Sequence, residues 1–356
     1  MEFDQLSRQV RRNCDITDAR HAGLYSVCGL VMRLRDLYKW EHSLEPWQEG
    51  EADCVLEWIG EKETLWESLT EADFDQLSVC GQTVDAFDTG TTNKNLAQMN
   101  LFYGAGYAHS LKPTFLLAEV LERQTLNHTP VLILGREYAR DLLTLPAFSQ
   151  DDEVVLRTEA GRMFLWDQIA YMGNSGRTAL AFALRTCGLP NAETETIRKY
   201  FDTVWKVQKT LYLYHEVGER HETVFERRVW RKMLADFPHT AVELLARTLK
   251  DLLADTGARG ALSHLIERRD KAALGLYMAF GNGITRQLTK PLMTAFETFI
   301  HDLQWDGFVR ATQTVRREAV DYTHQIMNLY QENRSHKGLP WTRQAIEETM
   351  RQRGLL

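Results

Sequence analysis

Two Asp-Thr-Gly triplets are the first places in this sequence that could do chemistry. "VDAFDTGTTN" (Val84 to Asn93) sets Asp88 behind apolar residues and ahead of hydroxyl side chains, and "ADTGA" (Ala254 to Ala258) repeats the triplet at Asp255. "VLILG" (Val131 to Gly135) imitates the apolar segment that aspartic proteases place near the first of their two aspartates. That chemistry needs two carboxylates about 3 Å apart sharing one proton, because like charges so close cannot both ionise. Rigid β-loops related by a two-fold axis must hold them. Asp88 follows a plausible strand, whereas Asp255 falls between two stretches of 3.6-residue periodicity, so the symmetry is missing. A dimer using the first triplet alone is disfavoured too, since "PTFLLAEVLERQ" between Asp88 and Gly135 reads as a helix. An aspartic protease is therefore the disfavoured reading. The first triplet is expected to be a turn after a strand. The second is expected to end a helix, with Gly257 in the left-handed conformation that glycine tolerates.

A second constellation lies on the segment from Ala192 to Phe237, which contains no proline. Val204, Val207, Leu211 and Tyr214 form an apolar seam at three-four spacing that continues through Gly218, His221 and Phe225. An unbroken helix here would run on the order of 60 Å at 1.5 Å per residue. A mid-helix glycine costs about 1 kcal/mol against alanine, so Gly218 calls for a close neighbour, a bend or room for a ligand. His221, one turn on, is expected to face inward, and the two together are a candidate pocket or polar core. Beside the seam, His215, Glu219, Glu222 and Glu226 follow spacings of four, three and four. Helix bundles hold iron or manganese with such residues, so a divalent metal is the one cofactor the sequence suggests. The stripe is centred about 110° from the apolar face, however, which suits a solvated flank paired with Lys and Arg. Metal binding stays a candidate only, and no cofactor is implied.

Other motifs exclude more than they suggest. "GNSGRT" (173 to 178) has neither the first glycine nor the lysine of a phosphate loop. "RRVWRK" (227 to 232) mixes cations with an aromatic, but a net charge of −7 gives no long-range attraction to nucleic acid. The five cysteines are scattered and form no C-x-x-C, so a reducing compartment fits. The start of the sequence lacks the apolar core of a signal peptide. "AALGLYMAFGNGIT" (272 to 285), the longest uncharged stretch, is shorter than the ~20 residues of a spanning helix. A cytoplasmic protein with no membrane or nucleic-acid partner is expected.

The elements that would position these residues are mostly helices, predicted over Phe3 to Arg12, Asp18 to His42 and Ala52 to Leu69. Between 77 and 158 four short β-like runs, "LSVCG", "QTVDAF", "TPVLIL" and "EVVLRT", alternate with helices expected at Pro113 to Leu121 and Arg136 to Thr144. From Glu159 the helical signal is nearly continuous, and Thr240 with Glu243 has the spacing of a capping box. The fold class is mainly α: an α+β N-terminal half with a small sheet, then a helical bundle. The division expected is 1–158, with its β insertion at about 77–158, then 159–332 all-α, then a tail over 333–356 ending in a short helix.

The segments "LRDLYKWEHSLEPW" (34 to 47), "GAGYAHSLKPTF" (104 to 115) and "LGREYARDLLTLPA" (134 to 147) resemble an uncharacterised family of bacterial cytoplasmic proteins. The resemblance implies no activity and no functional residues. The function expected is that of a non-catalytic helical interaction or regulatory protein, with a protein partner or self-association. The alternative is a metal-dependent or small-molecule enzyme of the helical-bundle type, centred on the Gly218 and His221 helix.

Overall fold

The computed structural model describes residues 2–108, 111–281 and 283–356, and the chain divides into two compact units, Met1–Ala170 and Tyr171–Leu356. In the first unit, α1 (Glu2–His21) buries Leu6, Val10 and Cys14, each one turn from the next. α2 (Val27–Glu41) starts where the Ser26 hydroxyl accepts the Gly29 N–H, and α3 (Ala52–Leu69) has the bounds its periodicity predicts. These two helices bury Leu34, Leu37, Tyr38, Trp58 and Trp66 together with Leu142. A two-stranded hairpin, β1 (Leu77–Val79) and β2 (Gln82–Val84), precedes α4 (Thr89–Leu96). Five strands follow: β3 (Leu101–Tyr107), β4 (Pro113–Leu126), β5 (Thr129–Arg140), β6 (Ala147–Gln150) and β7 (Glu153–Arg157). Their order in the sheet is β3-β4-β5-β7-β6, and the β5–β7 pair is parallel. α5 (Thr158–Ala170) ends the unit.

The two helices expected at Pro113 to Leu121 and Arg136 to Thr144 are not there. The first range lies in β4 and most of the second is the end of β5, two of the longest strands of the chain. β4 is an inner strand with a core on each face: Phe115 and Leu117 join the cluster under α1, while Leu116, Ala118 and Val120 join Phe102, Leu132 and Leu134 on the other side. A strand buried on both faces has a continuous apolar run, which periodicity alone does not separate from a buried helix. The signal that does separate them is the turn. Asn127 and His128 both adopt left-handed backbone conformations, φ 48° and 67°, and join β4 to β5 by the tight two-residue connection of a hairpin.

In the second unit every regular element among the described residues is a helix. They are α6 (Arg177–Thr186), α7 (Thr194–Lys199), α8 (Phe201–His221), α9 (Arg227–Asp236), α10 (Ala241–Thr256), α11 (Ala261–Arg268), α12 (Lys271–Phe280), α13 (Gly283–Leu288), α14 (Lys290–Asp302), α15 (Trp305–Arg334) and α16 (Leu339–Gln352). The single helix expected from Ala192 to Phe237 is thus three. The capping box forms at α10: Thr240 Oγ1 accepts the Glu243 N–H, and Glu243 reaches back to the His239 N–H. Leu245, Leu249 and Leu252 of α10 share a core with Tyr322, Ile326 and Tyr330 of α15 and Ile346 and Met350 of α16. The residues expected as a tail therefore complete this core.

α8 and the end of α10 meet at backbone distance. A Cβ on Gly218 would collide with the Ala254 carbonyl oxygen and lie 2.8 Å from Gly260 Cα. Overpacking of this kind costs about 1–3 kcal/mol. Gly218→Ala should lower the unfolding free energy by that amount and so lower the denaturant midpoint, while Gly173→Ala, where nothing lies within 4 Å, should change it little. Equal midpoints for the two variants would remove the close-approach account.

Candidate functional site

The two triplets end up in unrelated settings. Asp88 is the N-cap of α4, where its Oδ1 accepts the Thr91 N–H at 3.0 Å, and that bond holds its carboxyl below the usual range. Asp255 lies inside α10, in the other unit, and its carboxylate takes His215 Nδ1 at 2.8 Å and the Tyr277 hydroxyl at 3.0 Å. Asp88 follows the turn after β2, as expected, whereas Asp255 sits in the last turn of α10; each carboxylate has partners of its own. α10 does end at Thr256, but Gly257 is extended (φ −66°, ψ 161°), not left-handed. The chain leaves straight and folds back over the terminal carbonyls at Gly260, where any side chain would strike Ala254 and Asp255.

The stripe His215, Glu219, Glu222, Glu226 is cut by the end of α8. Glu222 is the extended C-cap, accepting the Thr223 and Val224 N–H groups and pairing with Arg316 at 2.5 Å. Glu226 is an exposed N-cap residue of α9. His221 is exposed at the helix end, beside the Arg259 guanidinium, and not turned inward. The residue that does join His215 and Glu219 is Glu216, whose carboxylate brings the three ligand atoms within 4.8 Å of one another. A stripe drawn along the solvated flank passes it by, since it is buried. Lys250 occupies Glu219, and Asp251 lies 3.9 Å from His215 Nε2. Burial alone would pull the imidazole down, but Asp255, Asp251 and Glu216 raise its pKa well above the ordinary value and so favour its charged form. Two cations thus balance part of a cluster of four carboxylates.

The first unit builds a more open site: a cleft of about 320 Å³ walled by α1 (Arg11), the end of α2 (Trp40, Glu41), the loop 43–46, β5 (Arg136, Glu137, Arg140) and α5 (Glu159, Arg162, Met163). Lys39, buried, ties the loop down through Pro46 O at 2.9 Å and Glu49 at 2.6 Å. At its floor Glu137 is fully occupied: Arg157 Nε and Nη2 each donate to one of its oxygens at 2.7 Å, and Arg140 Nη1 lies 3.7 Å away. Arg140 is 3% exposed, and its Nε and Nη2 have no hydrogen-bond partner among the described residues. Burial, with Arg157 as a neighbour, lowers its pKa despite Glu137. Trp40, whose indole N–H donates to Glu137 O at 3.1 Å, lies beside both the Arg11 and Arg140 guanidiniums. The helices flanking the cleft are clasped together: Arg35 Nη2 of α2 binds Asp36 at 3.1 Å and Asp167 of α5.

A family model described as the N-terminal domain of a family of unknown function (DUF6866) matches residues 5–157, and its C-terminal counterpart matches residues 162–349. The chain belongs to the DUF6866 family. The interval between the two matches lies at the start of α5, and the break between the two compact units at its end. No curated protein and no solved structure matches the chain. Among the described residues of this DUF6866 protein, no helix is long and apolar enough to cross a membrane.

The clasp beside the cleft titrates. Burial first, then the neighbouring Asp36 carboxylate, push Asp167 up to about 7 against the pull of Arg35. A carboxyl whose pKa is raised on folding stabilises the native state fully below its unfolded pKa, near 4, and loses that contribution as pH rises through 7. Stability should therefore fall between about pH 4 and 7, and Asp167→Asn should flatten the slope. A melting-temperature series in which both proteins show the same slope would exclude the clasp as its source.

Proposed function

We propose that this DUF6866 protein is a non-catalytic regulatory protein that takes up a small molecule in the cleft of its N-terminal unit and acts through a protein partner or a second copy of itself. The observation that carries the reading is the cleft: a volume of about 320 Å³ over buried charged side chains, with Trp40 and Met163 as its apolar walls. Volumes of this size receive metabolites. Support for a partner comes from α2 and α3, where Val27, Val31 and Leu56 are 81%, 55% and 65% exposed. The C-terminal unit, which we read as a bundle, would be the structural companion of the sensing unit.

A screen of small polar metabolites by thermal shift tests the binding claim. A ligand at 100 times its Kd stabilises by about 2.7 kcal/mol. At least one compound should raise the melting temperature, and Leu44→Trp, which fills the cleft, should cancel the rise. A library without any effect, or a shift that survives in the variant, would refute it.

The second reading is a divalent-metal site at His215, Glu216 and Glu219. It is favoured by their convergence and by the bond of His215 Nδ1 to Asp255, the kind of carboxylate contact that orients a metal-binding histidine when Nε2 is the ligand. Lys250 on Glu219 and the charged state of His215 weigh against it, because a metal would have to displace both. Element analysis of the purified protein decides. Stoichiometric iron, manganese or zinc, lost in Glu216→Ala and His215→Ala, would replace the non-catalytic reading; metal-free protein is expected.

A further inference from the structure

We infer that the group bound in the cleft is an oxyanion, a carboxylate or a phosphate monoester, received side-on by Arg140. The inference rests on the reading of the cleft as a ligand site. Buried polar groups in folded proteins are almost always hydrogen-bonded, and a buried donor left without a partner costs about 1–3 kcal/mol, more when it is charged. Arg140 has two such donors. Nε and Nη2 share one edge of the guanidinium plane, so their N–H bonds run nearly parallel, and this fork matches two oxygens of a carboxylate or phosphate.

The charges around Arg140 leave room for one more anion. Glu137, the carboxylate nearest to it, is committed to Arg157. Asp36 is bound by Arg35, and Asp141 accepts the Phe115 and Leu143 N–H groups. On the walls, Arg11, Arg136 and Arg162 face Glu41, Glu45 and Glu159. Glu41 is paired with Lys62 at 2.6 Å, and Glu159, pushed up by burial, already accepts the Glu137 N–H. Among the described residues, Arg140 keeps two donors that no acceptor meets. The Trp40 ring beside the guanidinium offers a flat apolar surface to the group that carries the anion.

Titration of ¹⁵N-labelled protein with inorganic phosphate, with citrate and with acetate, at constant ionic strength set by sodium chloride, tests the inference. The Arg140 Nε–H resonance, assigned by its loss in Arg140→Lys, should shift saturably with phosphate or with a carboxylate. Which probe saturates it distinguishes the two sources. Arg140→Lys keeps the charge and loses the fork, so the affinity should fall about tenfold or more; Arg140→Met, checked for folding by circular dichroism, should abolish binding. Equal affinity in Arg140→Lys, or a resonance that responds to chloride alone, would overturn the assignment. If neutral compounds occupy the cleft in the thermal-shift screen while no anion moves Arg140, the oxyanion inference fails and the ligand site stands. If nothing binds there, both fail.

Discussion

Removing a charge from water is tolerable only when other charges and hydrogen bonds replace the water. The end of β5 and the start of α5 are organised around that requirement. Glu137, fully enclosed, is held by the two donors of Arg157, and Arg140 stands at its other side. Two guanidiniums share one carboxylate. Trp40 covers the group from α2 and fastens to the Glu137 carbonyl, so helix, strand and following helix meet on one ionic centre. Replacing a single member would leave the others buried without compensation, which makes this arrangement more demanding than an apolar contact of the same size.

The helical unit uses the same physics with a different outcome. His215, Asp255 and Tyr277 form a chain of hydrogen bonds between α8, α10 and α12, and Lys250 closes the acidic side. Here the cations are supplied from within, and the cluster's donors and acceptors face one another. The apparent symmetry of two Asp-Thr-Gly triplets dissolves for the same reason: each aspartate answers to its own helix terminus.

How much of this was legible in the sequence depended on the range over which the deciding interaction acts. α3 and the capping box of α10 are set by residues within one or two turns, and both stand where the pattern places them. The break after His221 was not legible from periodicity, because the apolar spacing continues through Phe225 while the backbone turns at Glu222 to meet Arg316, far along the chain. β4 and the end of β5 were misread as helices since both faces of each strand are covered, although the start of β5 was read as a strand; only the Asn127 and His128 pair marked the hairpin. Glu216 was overlooked because a stripe on the solvated flank was preferred to a carboxylate inside. The cleft had no local signal at all: its walls come from positions 11, 40, 137 and 159, and only the fold makes them neighbours.

The seating of α1 has a bearing on biosynthesis. Its apolar face is completed by β4 and β5, about a hundred residues downstream, after α3 and β1 have supplied part of the cover. At ~5–20 residues per second of translation, Leu6, Val10 and Cys14 wait several seconds or longer for their cover to be complete. An emerging chain of this kind presents a partly covered amphipathic helix to the ribosome's surroundings before its own sheet exists, which is a surface for chaperones.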